Sequence, residues 1–173
     1  PWPPSCPIAI WRMAWRWPLR RRDRPVPRAP EPGAFGAHRK HDTHTGIDLY
    51  ADPGAEVLAV EDGRVVAIED FTGPAAGSPW WNDTRAVLVE GASGVVLYGE
   101  IDPCVKVGER VTRGDVLGHV RTVLRHDKGL PMTMLHFELY VYGTCASVWW
   151  KHEESRPFSL LDPTDALVAA EVD

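Results

Sequence analysis

His44-Thr45-Gly46-Ile47-Asp48-Leu49-Tyr50 and, far downstream, Met134-Leu135-His136-Phe137-Glu138-Leu139-Tyr140 decide the reading of this chain. The second stretch alternates as a strand does. Met134, His136, Glu138 and Tyr140 fall on one face, and Leu135, Phe137 and Leu139 on the other. The apolar set reads as core, so the first set faces something polar. Asp48 and Tyr50 likewise share a face opposite Leu49 and Ala51. The two strands therefore offer Asp48 and His136 to a common groove, and His44 reaches it from the preceding loop. Two imidazoles and one carboxylate form a three-ligand zinc site with a position left open, the pattern of a catalytic zinc rather than a structural one.

The rest of the chain reads as β. Segments rich in Val, Leu, Ile and Tyr, bounded by Gly, Asp and Pro, predict strands near residues 48–51, 56–60, 63–69, 86–90, 95–101, 115–123 and 134–142. Glu61-Asp62-Gly63 and Gly91-Ala92-Ser93-Gly94 read as hairpin connections. Helical signals appear only at the end, where Asp162 caps and Pro163 opens a short helix over residues 164–171. The expected fold is an all-β antiparallel sheet or sandwich with a short C-terminal helix.

The 173 residues suit one domain, and 44% hydrophobic with 25% charged residues is ordinary for a globule. The net charge of -5 is unevenly spread. Residues 1–40 carry nine Lys/Arg against Asp23 and Glu31, and the remainder carries ten basic and twenty-two acidic residues. An acidic body argues against nucleic acid as partner. Residues 1–34 read as a Pro/Arg-rich N-terminal arm, with one edge strand near 13–19, and residues 35–173 as the folded domain. No apolar run approaches a transmembrane segment, and residues 1–11 lack the basic and apolar regions of a signal peptide. Cys6, Cys104 and Cys145 form no zinc-type spacing and read as buried or unpaired thiols.

His44-x-Gly46-x-Asp48, continued by Leu49-Tyr50-Ala51-Asp52-Pro53-Gly54-Ala55-Glu56-Val57, resembles the lysostaphin-like zinc metalloendopeptidases, which cut peptidoglycan peptides on a duplicated hybrid motif fold. Trp17-Pro18-Leu19 and Phe35-Gly36 are similar to that family's opening segment. Val105-Lys106-Val107-Gly108-Glu109-Arg110-Val111-Thr112-Arg113-Gly114-Asp115-Val116-Leu117-Gly118 is similar to its central turn-and-strand unit. The resemblance implies one zinc per chain on His44, Asp48 and His136, peptidoglycan or cell-wall peptide as partner, and a cell-envelope or secreted setting. It also exposes two departures. The family's Tyr-x-His stretch reads Tyr98-Gly99-Glu100 here, and the first histidine of its His-x-His pair is Met134.

Peptide hydrolysis needs a base for the attacking water, an acid for the leaving amine and a donor for the oxyanion. Glu100 is the candidate base. Met134 offers no donor, and Lys128, His126 and Tyr140 are the candidate substitutes. His41 and His126 are candidate supports for the ligands. The loop over residues 72–84, with Trp80 and Trp81, is expected to wall the groove. The sequence thus reads as a zinc metallopeptidase acting on peptidoglycan peptides with an altered catalytic set. The alternative is a catalytically inactive zinc-binding homologue that binds cell-wall peptide or regulates a true hydrolase. A biotinyl- or lipoyl-type carrier shares the hairpin rhythm, but the Glu61-Asp62-Gly63 tip has no lysine to carry the cofactor.

Overall fold

A computed structural model describes residues 14–126, 128–129 and 132–172 of the chain. The N-terminal Trp/Pro segment, including Cys6 and the stretch weighed as a signal peptide, lies outside the described residues. The elements in chain order are β1 (Ile47–Tyr50), β2 (Glu56–Leu58), β3 (Gly63–Thr72), β4 (Thr84–Gly91), β5 (Gly94–Pro103), β6 (Arg110–Val111), β7 (Val116–Val120), β8 (Met134–Tyr140), β9 (Leu160–Leu161) and α1 (Thr164–Val168). All strand pairs are antiparallel. The main path of the sheet runs β1-β8-β5-β4-β3-β6, with β7 joining β5 to β2 and β9 flanking β8. The fold is the expected antiparallel sheet with a single short helix. Asp162 Oδ1 accepts the Thr164 N–H at the start of α1, as its sequence position suggests.

The central strands are apolar on both faces because both faces are covered. Val87, Val89, Val96 and Tyr98 join Phe137, Leu135 and Ile47 in the larger core. Ala86, Leu88, Val95 and Leu97 join Tyr140 and Leu160 in a second core on the opposite face. That second face is the one carrying His136 and Glu138. The groove face is thus polar at the His136 end and closes into packed hydrophobic structure at Tyr140.

Trp15, Trp17, Leu19 and Val26 are all buried in the larger core. The Trp15 ring meets Phe137 edge-on at 5.5 Å, and Phe137 in turn meets Tyr98 at 5.4 Å. Trp15 and Trp17 are tied to the other end of the chain, since Trp17 N–H donates to the Glu171 carbonyl and Glu171 N–H to the Trp15 carbonyl.

The sequence expectation of a hairpin at Glu61-Asp62-Gly63 is not met, because β2 pairs with β7 and not with β3. Val57, Leu58, Ala59 and Val60 are all fully buried. A strand wrapped on both faces has no alternation to set a hairpin register. The Glu61 carboxylate instead accepts the Ser93 N–H and hydroxyl, pinning this turn to the β4–β5 hairpin. The Gly91–Gly94 hairpin forms as expected, with those two glycines paired.

Candidate active site

The β1–β8 ladder sets Asp48 directly opposite His136, with Ile47 opposite Phe137 and Leu49 opposite Leu135. Burial of Ile47, Leu49, Leu135 and Phe137 in the core fixes the register, since a one-residue slip exchanges the faces. Asp48 and His136 are thereby forced onto the other face. Gly46 brings the His44 turn against them. A Cβ on Gly46 lies 2.5 Å from the Phe137 carbonyl oxygen and 2.9 Å from His136 Nε2. Only glycine lets this turn sit so close to β8.

The three groups meet through defined atoms. Asp48 Oδ1 is 3.0 Å from His136 Nδ1 and 3.2 Å from His44 Nε2. The two ring nitrogens are 3.3 Å apart. All three residues are buried. The other ring nitrogens are committed elsewhere. His44 Nδ1–H donates to the Ala34 carbonyl at 2.8 Å, which leaves Nε2 as the free lone pair. His136 Nε2–H donates to Glu138 Oε1 at 2.9 Å. Glu138 is held in turn by the Thr45 hydroxyl and, at 2.5 Å, by the Tyr140 hydroxyl.

Charge in this cluster is strongly perturbed. Burial opposes the imidazolium of His136, but its hydrogen bonds to Asp48 and Glu138 outweigh it and push the group up to about 10. Burial also opposes ionisation of Asp48, yet above all the hydrogen bond from His136 holds its carboxyl far below the usual range. The same contest, won by His136, keeps Glu138 ionised. His44 is driven the other way, toward the neutral ring, mainly by burial.

Glu100 occupies a backbone irregularity. Val87 pairs with Tyr98 and Arg85 with Ile101, so β5 carries one residue more than β4 over this interval. Tyr98 and Ile101 both enter the larger core, and the pair Gly99-Glu100 absorbs the extra residue as a β-bulge. Glu100 has φ of 63° and is the one non-glycine residue with positive φ among the described residues. A long side chain in the left-handed region costs about 1–3 kcal/mol and persists where the surroundings impose it. At this point β5 leaves β8, where Gly99 faces His136, and joins β7, where Ile101 faces Val120. Simple alternation sends Glu100 into the core beside Tyr98; the bulge turns it out of that pattern. Its Oε2 is buried with no hydrogen-bond partner among the described residues. Burial, and next the charge of Asp48, push its carboxyl up to about 8.

The candidate donors separate. The Tyr140 hydroxyl is spent on Glu138 and on the Val148 N–H, inside the second core. His126 and Lys128 are exposed, and neither side chain hydrogen-bonds to a site residue among the described residues. Met134 is partly buried beside Tyr50, its partner in the ladder. His41 is exposed. Trp80 and Trp81 are exposed at 64% and 37% and pack edge to face. The aromatic group touching the cluster is Phe71, whose ring centre is 5.3 Å from that of His136. Two contributors escaped the sequence reading. Glu138 shows in the sequence only as a residue on the His136 face, and Arg39, which pairs with Asp48 Oδ2, is one of the nine basic residues of positions 1–40.

The model of peptidase family M23 matches residues 42–147, more than half of the chain and spanning every residue of the cluster. The chain belongs to peptidase family M23. Its fold is similar to that of several solved structures. CbpA from L. salivarius REN is 19% identical over 89% of this chain and 97% of that one, with a TM-score of 0.57. A Pseudomonas aeruginosa protein classed with peptidase M23 is 21% identical over 99% of this chain, with a TM-score of 0.53. The antimicrobial peptidase lysostaphin from Staphylococcus simulans is 17% identical over 83% of this chain, with a TM-score of 0.53. The chain spans about half the length of the last two, 55% and 48%. No curated protein matches it.

Proposed function

We propose that this M23 chain is a zinc-dependent endopeptidase acting on peptidoglycan peptides, with Glu100 in place of a histidine base. The observation that carries the proposal is the convergence of His44 Nε2, Asp48 Oδ1 and His136 Nδ1, buried and 3.0–3.3 Å apart. Those separations match the edges of a tetrahedron whose corners lie about 2.0–2.1 Å from a central ion, the bond length of zinc to nitrogen and oxygen. The donor set, two neutral imidazoles and one carboxylate, suits zinc equally well. Bound zinc supplies a polarised substrate carbonyl and a water acidified to a pKa of about 7.

The chain's own residues supply the rest. The Ala34 carbonyl holds the His44 proton on Nδ1 and Glu138 holds a His136 proton on Nε2, so that once metal binding displaces the Nδ1 proton of His136 each ring turns a lone pair to the site. In this reading Glu100, ionised once a bound cation offsets the burial that raises its carboxyl, takes the proton of the attacking water on Oε2, the buried oxygen with no hydrogen-bond partner among the described residues. That proton is then returned to the nitrogen of the leaving amine as the C–N bond breaks. In this proposal residues 35–173 carry the metallopeptidase site, and the arm over residues 1–34 contributes Trp15, Trp17, Leu19 and Val26 to the core beneath it. The substrate places the protein at the cell envelope or outside the cell. No helix among the described residues is long and apolar enough to cross a membrane.

A second reading, a zinc-binding homologue without turnover, draws on Met134. A thioether two residues from His136 on the same strand offers no proton to an oxyanion. Digestion of purified muropeptides by the zinc-loaded protein separates the two readings: new amino termini support the first, and an unchanged profile supports the second. Metal analysis of wild type and His136→Ala tests what they share. Equal zinc in both proteins removes His136 as a ligand.

A further inference from the structure

Asp48 divides its two oxygens. Oδ1 faces His136 Nδ1 and His44 Nε2, while Oδ2 is taken by the guanidinium Nη2 of Arg39. Arg39 also donates from Nη2 to the Pro32 carbonyl at 3.3 Å. The Asp48 side chain is 5% exposed and that of Arg39 39%, so the pair bridges the buried cluster and the solvent. The backbone bearing Arg39 is fastened on both sides. His38 and Thr43 form a bridge, Arg39 N–H donates to the Asp42 carbonyl, and Thr43 N–H donates to the Trp150 carbonyl. His38 Nδ1 lies 3.1 Å from His152 Nδ1 with the rings stacked. Arg39 is therefore presented to Asp48 by a hairpin braced against the C-terminal segment.

We propose that Arg39 is a positioning residue that confines Asp48 to metal binding through Oδ1 alone. The inference rests on the zinc reading given above. A carboxylate is able to bind a cation through one oxygen or both. The Arg39 Nη2–H on Oδ2 takes up a lone pair of that oxygen and sets a positive charge beside it, which disfavours a second bond from Oδ2 to a cation. Holding Asp48 to one bond keeps coordination positions for water and the substrate carbonyl, which a catalytic zinc needs. Outer partners of this kind typically change metal affinity by about 10–100-fold when removed.

The test compares wild type, Arg39→Met, Arg39→Lys and Arg28→Met. Arg28 pairs with Asp165 on α1 and not with a site residue, so its variant reports the loss of an ordinary surface arginine. Zinc affinity is measured by competition with a chromophoric chelator, and the visible spectrum is recorded with Co(II) alone as the bound metal. In Arg39→Met the zinc Kd rises about 10–100-fold and the Co(II) bands change position and intensity. Arg39→Lys recovers part of both, and Arg28→Met matches wild type. Wild-type affinity together with a wild-type Co(II) spectrum in Arg39→Met overturns the inference and leaves the zinc reading intact. Failure of the wild type itself to bind zinc removes that reading instead. If Arg39→Met does not fold, Arg39→Gln takes its place with the same two outcomes.

Discussion

Asp48 and His136 stand directly opposite each other across the β1–β8 ladder, with Asp48 Oδ1 3.0 Å from His136 Nδ1. Neither residue reaches this position by chance of side-chain rotamer. The neighbouring pairs, Ile47 with Phe137 and Leu49 with Leu135, are core contacts that lock the register. The stability of the hydrophobic core and the geometry of the site are therefore one property, and several predictions draw on that coupling.

The first concerns pH in the metal-free protein. His136 has a folded pKa raised to about 10 from 6.5, so its contribution to stability is full below about 6.5 and is lost as pH rises toward 10. Glu100 has a folded pKa raised to about 8 from 4.5, so its favourable contribution is full below about 4.5 and fades as pH rises toward 8. Both act in the same direction. His44, whose pKa is lowered, acts the other way but only below about 6.5, so the Tm of metal-free protein should fall steadily from about pH 6.5 to pH 10. In Glu100→Gln the fall between about pH 6.5 and 8 should flatten, leaving the His136 portion. A Tm that rises through this range in the wild type contradicts the assigned electrostatics.

Gly46→Ala tests the close approach of the His44 turn to β8. The added Cβ collides with the Phe137 carbonyl, which is strand backbone and cannot rotate away. The expected cost is about 1–3 kcal/mol, a Tm lower by about 2–4 °C per kcal/mol for a chain of this size. Zinc affinity should fall with it, because His44 rides on the same turn. Unchanged Tm and unchanged zinc affinity together show that the turn sits further from β8 than described.

Much of this arrangement was legible in the sequence. Two-residue alternation put Asp48 and His136 on a shared face, and the motif spacing added His44. The structure brings these three together. Glu100 was placed by resemblance alone. Alternation assigns it to the core, and a bulge with positive φ is a property of the fold that no local pattern announces. Arg39 was hidden among neighbouring basic residues, and its partner is decided by a hairpin braced on Trp150, far away in the chain. The β2–β7 pairing was missed for the same reason: a fully buried apolar run carries no information about its neighbour.

The core role of the N-terminal segment is testable by Trp15→Ala. Trp15 is buried against Phe137, the residue next to His136. The substitution should destabilise the fold by about 3–5 kcal/mol. Residual zinc affinity at low temperature should drop little, since Trp15 contacts the opposite face of β8. A loss below about 1 kcal/mol on denaturant unfolding refutes the view that residues 15–26 are part of the core.

The central claim, a zinc peptidase whose base is Glu100, is tested most directly by assaying Glu100→Gln beside wild type on purified muropeptides, with metal content determined on the same samples. The amide keeps the size of the side chain and cannot accept the proton of the attacking water. The account predicts one zinc per chain in both proteins, peptide cleavage by the wild type that chelation abolishes, and a loss of at least about 100-fold in kcat for the variant. Zinc-dependent cleavage that survives undiminished in Glu100→Gln contradicts it.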